Sequence, residues 1–154
     1  MAVADLMRID KSIDIAAPVE RVWRALTSPT ELSAWFRVRI EGTIAAGSDV
    51  WMTSEEPGYE GQRFLITFRE LSPPTRLVWE WHPGAVDSTV DYSREPRTTV
   101  TFTLERVSGG TRLRLSETGF DAIALKRRAA VYKDNDGGWT VVIKRIAAHA
   151  QGTR

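Results

Sequence analysis

The sequence predicts an α+β domain in which a curved antiparallel sheet of about six to seven strands surrounds a long C-terminal helix, with two short helices between strands 1 and 2. Three observations support this fold class. Residues 8–15 alternate between apolar and polar, residues 37–118 consist of strand-like segments broken by turn signals, and the last section has helical spacing. Because a sheet with one apolar face must be covered, the long last helix is expected to lie against it.

The first strand is predicted over residues 8–15, where Ile9, Ile13 and Ile15 share one face. Two short helices follow it. The first has an apolar stripe with the spacing i, i+3, i+4, i+7, formed by Val19, Val22, Trp23 and Leu26. The second is predicted to begin after Ser28, with Ser28 as its N-cap and Glu31 completing a capping box. Its apolar side is formed by Leu32, Trp35 and Phe36.

Short alternating segments follow one another between residues 37 and 118. Turn signals such as Ser72-Pro73-Pro74 and Ser108-Gly109-Gly110 separate them, and residues 85–97 are predicted to form a long loop. The predicted strands are 37–40, 50–52, 62–71, 77–81, 99–104 and 113–117.

The C-terminal section predicts one long helix. Its stripe, spaced alternately by four and three residues, contains Leu125, Ala129, Tyr132, Asp136, Trp139, Ile143, Ile146 and Ala150. The stripe keeps its register through Gly137-Gly138, which favours a single helix. However, each glycine costs about 1 kcal/mol relative to alanine inside a helix, which predicts a bend or a break at this pair.

A curved sheet that grips a helix leaves a gap where the two surfaces diverge, and such a gap is a common ligand site. The sequence therefore predicts an apolar cavity between the sheet and the last helix. An interior filled by its own side chains is the alternative, because large aromatic residues bury much surface without a ligand. The candidate lining residues are Trp35, Phe36, Phe64, Phe68, Trp79, Trp81, Phe102, Leu115, Glu117, Tyr132, Asp136, Trp139 and Ile143.

Three charged residues, Lys11, Glu117 and Asp136, fall on faces predicted to point inward. They either form a polar end of the cavity, where they would orient a ligand or act as acid and base, or lie at element ends and reach solvent. The strand-end position of Glu117 and the glycines beside Asp136 favour solvent. Tyr92 and Glu80 are weaker candidates for the same roles.

Composition excludes several classes of function. The 154 residues fit a single domain over 1–154 with a core of about 8–150, and the net charge of +1 is spread evenly. The only basic run, Lys126-Arg127-Arg128, is predicted to be a solvated helix face, so no nucleic-acid partner is expected. Without cysteine, a signal peptide or a membrane-length apolar run, the expected location is the cytoplasm, with no membrane insertion. His82 and His149 lack metal-ligand spacing, so neither a metal nor another cofactor is expected.

Several short motifs, in this order and spacing, resemble the SRPBCC (START-like) superfamily, and within it the homologues of the activator of the heat-shock protein 90 ATPase. The resemblance spans roughly residues 8–150. The motifs are Ile13-x-Ile15, Ala17-Pro18-x-x-x-Val22-Trp23, Leu26-Thr27, Trp35-Phe36, Leu77-Val78-x-x-Trp81, Gly110-Thr111-x-Leu113-x-Leu115, Gly119-Phe120 and Gly138-Trp139.

The resemblance implies a helix-grip fold with a deep cavity, in a superfamily that includes lipid carriers, hormone receptors and cyclases. It implies no catalytic residue, and no catalytic motif occurs in the sequence. The leading hypothesis is therefore binding of an apolar small molecule, lipid-like or aromatic. The alternatives are an enzyme of cyclase, dehydratase or hydrolase type and a co-chaperone-like or regulatory protein-binding module, in an oligomeric state that the sequence does not specify.

Overall fold

The computed structural model of the chain describes residues 8–84 and 89–152. Seven antiparallel strands form one curved sheet in the order β1-β7-β6-β5-β4-β3-β2, and the long helix α3 lies against it. The fold class and the two short helices between β1 and β2 are confirmed. The elements are β1 (Arg8–Ile15), α1 (Val19–Thr27), α2 (Pro29–Phe36), β2 (Val38–Glu41), β3 (Asp49–Ser54), β4 (Arg63–Ser72), β5 (Arg76–Trp81), β6 (Thr98–Val107), β7 (Gly110–Thr118) and α3 (Leu125–Gly152).

Helix α3 runs without interruption through Gly137-Gly138, so the break predicted at this pair does not occur. Both glycines are exposed, and a Cβ atom added to either would meet nothing within 4 Å. The helix persists because the residues that follow, Trp139, Ile143 and Ile146, are buried. Tertiary packing of an apolar face outweighs a local propensity deficit of this size.

The first turns of α3 depart from the predicted stripe. Leu125 is 78% exposed and Ala129 is also exposed, whereas Val131 is buried. Val131 lies against Gly84, which comes shortly after the end of β5. A Cβ atom placed on Gly84 would lie 3.1 Å from Cγ2 of Val131. The buried face of the helix therefore begins at Val131, and Leu125 and Ala129 do not belong to it.

Helix α2 begins as predicted, but its N-terminus is not closed by a capping box. Ser28 occupies the N-cap position without a side-chain hydrogen bond to the helix. The Glu31 carboxylate turns away instead and accepts hydrogen bonds from Arg21, Arg24 and His149. Glu31 therefore takes part in an ion-pair network between α1, α2 and α3 and does not complete the capping box.

The loop predicted over residues 85–97 forms no helix or strand in its described part, 89–97, and residues 85–88 lie outside the described ranges. No helix within the described ranges is long and apolar enough to cross a lipid bilayer.

Candidate functional site

Eight aromatic side chains meet between the sheet and α3 and form one connected group, called here the aromatic cluster. Neighbouring ring centroids in it lie 5.1–6.3 Å apart, in tilted or edge-to-face arrangements. These are the separations at which aromatic pairs attract each other. Its members come from α2, β4, β5, β6 and α3: Trp35, Phe36, Phe64, Phe68, Trp79, Trp81, Phe102 and Trp139.

The alternating strands place these rings on the inner face. Trp79 pairs with Phe68 on one side and with Val100 on the other, and Leu77 pairs with Phe102. Trp79 and Phe102 are fully buried, and Trp139 from α3 closes over both of them. The eight rings therefore occupy the space in which the sequence predicts a cavity.

Glu117 lies at the polar centre of the cluster and is 0% exposed. The indole nitrogen of Trp81 donates to its Oε2 at 2.8 Å and that of Trp139 to its Oε1 at 2.8 Å. Thr98 Oγ1 donates to Oε2 at 2.5 Å, and Asn135 Nδ2 lies 3.0 and 3.1 Å from the two oxygens. The expectation that Glu117 reaches solvent is wrong, because four donors replace the water it loses.

Two of these donors, Thr98 and Asn135, are absent from the residues proposed from the sequence. Thr98 continues the inward alternation of Val100 and Phe102, and Asn135 lies one helical turn before Trp139. Both signals are present in the sequence. These signals point to Thr98 and Asn135 as donors only once Glu117 is known to be buried, because a buried carboxylate needs hydrogen-bond donors.

The aromatic cluster reaches the surface at one end. Phe36, Phe64 and Trp81 are partly exposed, whereas the other five rings are buried. Phe36 contacts both of the others, with ring centroids 5.9 Å from Phe64 and 6.1 Å from Trp81. These three rings, called here the aromatic opening, are where solvent meets the interior aromatic surface.

One further polar atom within the cluster stands out. The indole nitrogen of Trp79 is buried and has no hydrogen-bond partner among the described residues. Such orphaned donors are rare in folded proteins, and each costs about 1–3 kcal/mol.

The other candidate residues lie elsewhere. Lys11 Nζ binds Asp136 Oδ1 at 2.8 Å near the surface, so the expectation of solvent contact is confirmed for this pair. Tyr132 packs against Phe120 and donates to the backbone carbonyl of Arg8, while Leu115 and Ile143 are buried in the core. Two acid–base groups therefore do not converge at Glu117.

Glu80 and Tyr92, the weaker acid–base candidates, have other partners. Glu80 accepts hydrogen bonds from Arg69 and Arg97. The guanidinium of Arg127 lies over the Tyr92 ring, 5.1 Å from its centroid. Neither residue contributes a hydrogen bond to Glu117.

The loop before β6 is held against α3 by Arg127. This side chain donates to the two carboxylate oxygens of Glu95 at 2.7 and 2.8 Å. Arg128 donates to the backbone carbonyls of Asp121 and Ile123. The prediction of a solvated basic run is therefore wrong for these two arginines, because the chain folds back over the start of the helix.

Three titratable groups that hold loops and helices in place have lowered pKa values. Burial lowers the pKa of His82, which follows Trp81, although a hydrogen bond with Glu95 opposes the shift. Burial alone would raise the pKa of Glu31, but hydrogen bonds from Arg21 and His149 outweigh it and lower that pKa. The pKa of Glu56 is lowered mainly by hydrogen bonds from Arg145, which join the loop after β3 to α3.

Among the described residues, two of the surface concavities lie outside the aromatic cluster. One, of about 350 Å³, follows strands β1, β6 and β7 and is lined by residues such as Ser12, Thr101 and Ser116. The other, of about 370 Å³, lies between α2 and β2 beside Pro29 and Val38. Within residues 8–84 and 89–152, no three His, Asp or Glu side chains are arranged to hold a metal ion.

Comparison with known proteins identifies the family. A family model described as "Activator of Hsp90 ATPase homolog 1-like protein" matches residues 16–151. A comparison with curated proteins found no match.

Solved structures resemble the fold over nearly the whole chain. Protein MLL2253 from Mesorhizobium loti is 24% identical with a TM-score of 0.75, covering 96% of this chain and 98% of that one. Protein NE0264 from Nitrosomonas europaea is 21% identical with a TM-score of 0.73 over 100% of both chains. The Aha1 dimer from Colwellia psychrerythraea is 19% identical with a TM-score of 0.71, covering 94% of this chain and 96% of that one. The chain therefore belongs to the Activator of Hsp90 ATPase homolog 1-like family of the SRPBCC superfamily.

Proposed function

We propose that the protein is a cytoplasmic binding protein that sequesters or senses one small, largely apolar molecule, aromatic or lipid-like, between the sheet and α3. The observation that carries this proposal is the fully buried carboxylate of Glu117 within the aromatic cluster. A core that needs only stability gains as much or more from an apolar side chain at such a position. A few placed polar groups on an apolar surface are typical of ligand sites.

The orphaned indole nitrogen of Trp79 supports the proposal from a second direction. It is a buried donor within the same cluster. A ligand oxygen or nitrogen that accepted from it would remove the penalty of the unsatisfied donor. In the interior, the Glu117 carboxylate can accept a hydrogen bond from a ligand, and the Trp79 indole can donate one to a ligand.

Binding on this proposal is coupled to movement of the aromatic rings. Their centroids are 5.1–6.3 Å apart, so a ligand of aromatic size has to displace part of the cluster. The rings of the aromatic opening, Phe36, Phe64 and Trp81, are the ones that move outward on this proposal, since they are partly exposed whereas the other five are buried. Of these, Trp81 also releases a donor from Glu117 when it moves.

Native mass spectrometry tests the proposal, using the purified protein exposed to a mixture of aromatic and lipid-like compounds. We expect a 1:1 complex that Phe64→Ala weakens about 2- to 10-fold, the loss that one aromatic contact represents. Trp51→Ala is the control, because Trp51 is an exposed tryptophan that packs against Arg63 outside the cluster. Absence of a complex with every compound, or a complex sensitive to Trp51→Ala alone, would overturn the proposal.

A further inference from the structure

Glu117 brings a charge into the aromatic cluster that no described cation balances. Its four partners, Trp81, Thr98, Asn135 and Trp139, are all neutral donors. This donor set fits the ionised carboxylate, which only accepts hydrogen bonds. Among the described residues, the salt bridges include none to Glu117.

The Lys11–Asp136 pair on the neighbouring elements does not neutralise the charge of Glu117. Lys11 lies on β1, two residues from Ile9, which pairs with Glu117 across the strands. Its ammonium is engaged by Asp136 at 2.8 Å, so this pair is neutral as a unit. Four hydrogen bonds stabilise the negative charge of Glu117, but no cation among the described residues neutralises it.

The faces of the rings around Glu117, but not their edges, share the electrostatic preference of its carboxylate. The faces of tryptophan and phenylalanine rings are negative and attract cations, tryptophan most strongly. Trp81 and Trp139 lie with their centroids 5.8 Å apart, and both direct their indole N–H groups to Glu117. Because these N–H groups lie on the positive edges of the two indoles, the attraction for a positive group comes from the carboxylate, and the rings add to it only where the ligand lies over a ring face.

We infer that the molecule bound at this site carries a positive charge, as a protonated or quaternary amine on an apolar body. This inference rests on the proposed function and names the class of its ligand. The ammonium takes the place of the Trp81 indole at Glu117 Oε2, since Trp81 belongs to the aromatic opening. The apolar body lies against the remaining rings, and the complex is neutral where the free site is negative.

Three soluble probes of similar size and different charge test the inference: phenethylammonium, phenethyl alcohol and phenylacetate. Calorimetric titration at low and high salt measures their affinities. In parallel, NMR shifts of the indole N–H resonances of Trp81 and Trp139 show whether each probe binds beside Glu117. We expect phenethylammonium to bind about 10-fold or more tightly than phenethyl alcohol, and phenylacetate to bind most weakly. The preference should persist in 0.5 M salt, because buried charges are screened less than surface charges.

Glu117→Gln should reduce the preference for the ammonium probe, whereas Glu105→Gln should leave it unchanged, since the Glu105 side chain is 54% exposed. If Glu117→Gln does not fold, the ranking of the three probe affinities on the wild-type protein tests the inference by itself. Equal or tighter binding of the alcohol or of phenylacetate at the two indoles overturns the inference and leaves the proposed function standing. If no probe shifts either indole resonance, the inference fails, and the proposed function fails with it only if the native mass-spectrometry screen also finds no complex.

Discussion

The buried Glu117 carboxylate accepts hydrogen bonds from four donors in place of water. The donors come from three elements: Trp81 of β5, Thr98 of β6, and Asn135 and Trp139 of α3. Hydrogen bonds to a charged group are about twice as strong as those between neutral groups. This one residue therefore ties the sheet to the helix and fixes the rotation of two tryptophans.

Replacing Glu117 by glutamine tests this role in stability. The amide has one acceptor oxygen in place of two, and its NH₂ group faces existing donors. We expect the free energy of unfolding to fall by about 1–3 kcal/mol, the cost of leaving buried donors unsatisfied. Urea denaturation measures the change. Glu105→Gln, at an exposed position, should stay within about 0.5 kcal/mol of the wild type, and an equally small effect at Glu117 would contradict the account.

His82 makes stability depend on mild acid. Its pKa in the folded protein is below the ordinary value of 6.5, chiefly through burial. The unfolded chain therefore binds a proton first as the pH falls, so stability is lost between about pH 6.5 and the lower folded pKa. Melting temperatures between pH 7.5 and 5 should fall more for the wild type than for His82→Gln. Parallel curves for the two proteins would show that His82 is not responsible.

At the scale of elements, helix α3 carries two adjacent glycines at exposed positions of an uninterrupted helix. Gly137→Ala and Gly138→Ala should each stabilise the protein by about 0.5–1 kcal/mol, because the new methyl groups meet no neighbour. Gly110→Ala is the opposing control. A Cβ at Gly110 would clash with the backbone oxygen of Ile15, so this variant should be destabilised. Thermal unfolding distinguishes these signs, and a loss of stability at Gly137 or Gly138 would indicate that α3 bends in solution.

The loop between β3 and β4 is joined to α3 by Arg145, which donates to both oxygens of Glu56 at 2.9 and 3.0 Å. Since both side chains are partly exposed, a double-mutant cycle with alanine should give a coupling of about 0.2–1 kcal/mol at neutral pH. The pKa of Glu56 is lowered, so the coupling is present above about pH 4.5 and disappears as the pH falls through the folded pKa. A coupling that persisted after Glu56 is protonated would contradict an ion pair.

At the scale of the whole molecule, the periodicity of the sequence was sufficient to predict the sheet, the three helices and the inward position of all eight rings. Strand alternation and helix spacing determine which face a residue occupies, and this holds for Trp79 and Trp139. It does not determine how two faces meet. The four-donor arrangement depends on strand register and on the rotation of α3, and for that reason Thr98 and Asn135 could not be assigned from sequence alone.

The same limit applies to the predicted cavity. The sequence shows that large rings line the space between sheet and helix, but whether they leave a gap depends on how closely the layers approach. With Trp79 and Trp139 centroids 6.3 Å apart, the layers meet through the rings themselves. On the proposed function, a ligand therefore enters only if rings of the aromatic opening move.

The central claim, that a small apolar molecule binds within the aromatic cluster, is tested most directly by the indole N–H resonances of the six tryptophans during titration with phenethylammonium and then with neutral aromatic compounds. The account predicts saturable shifts at Trp81 and Trp139, with Trp51 unchanged on the outside of the sheet. Shifts confined to Trp51, or no saturable shift with any compound, would show that the cluster is a packed core and contradict the claim.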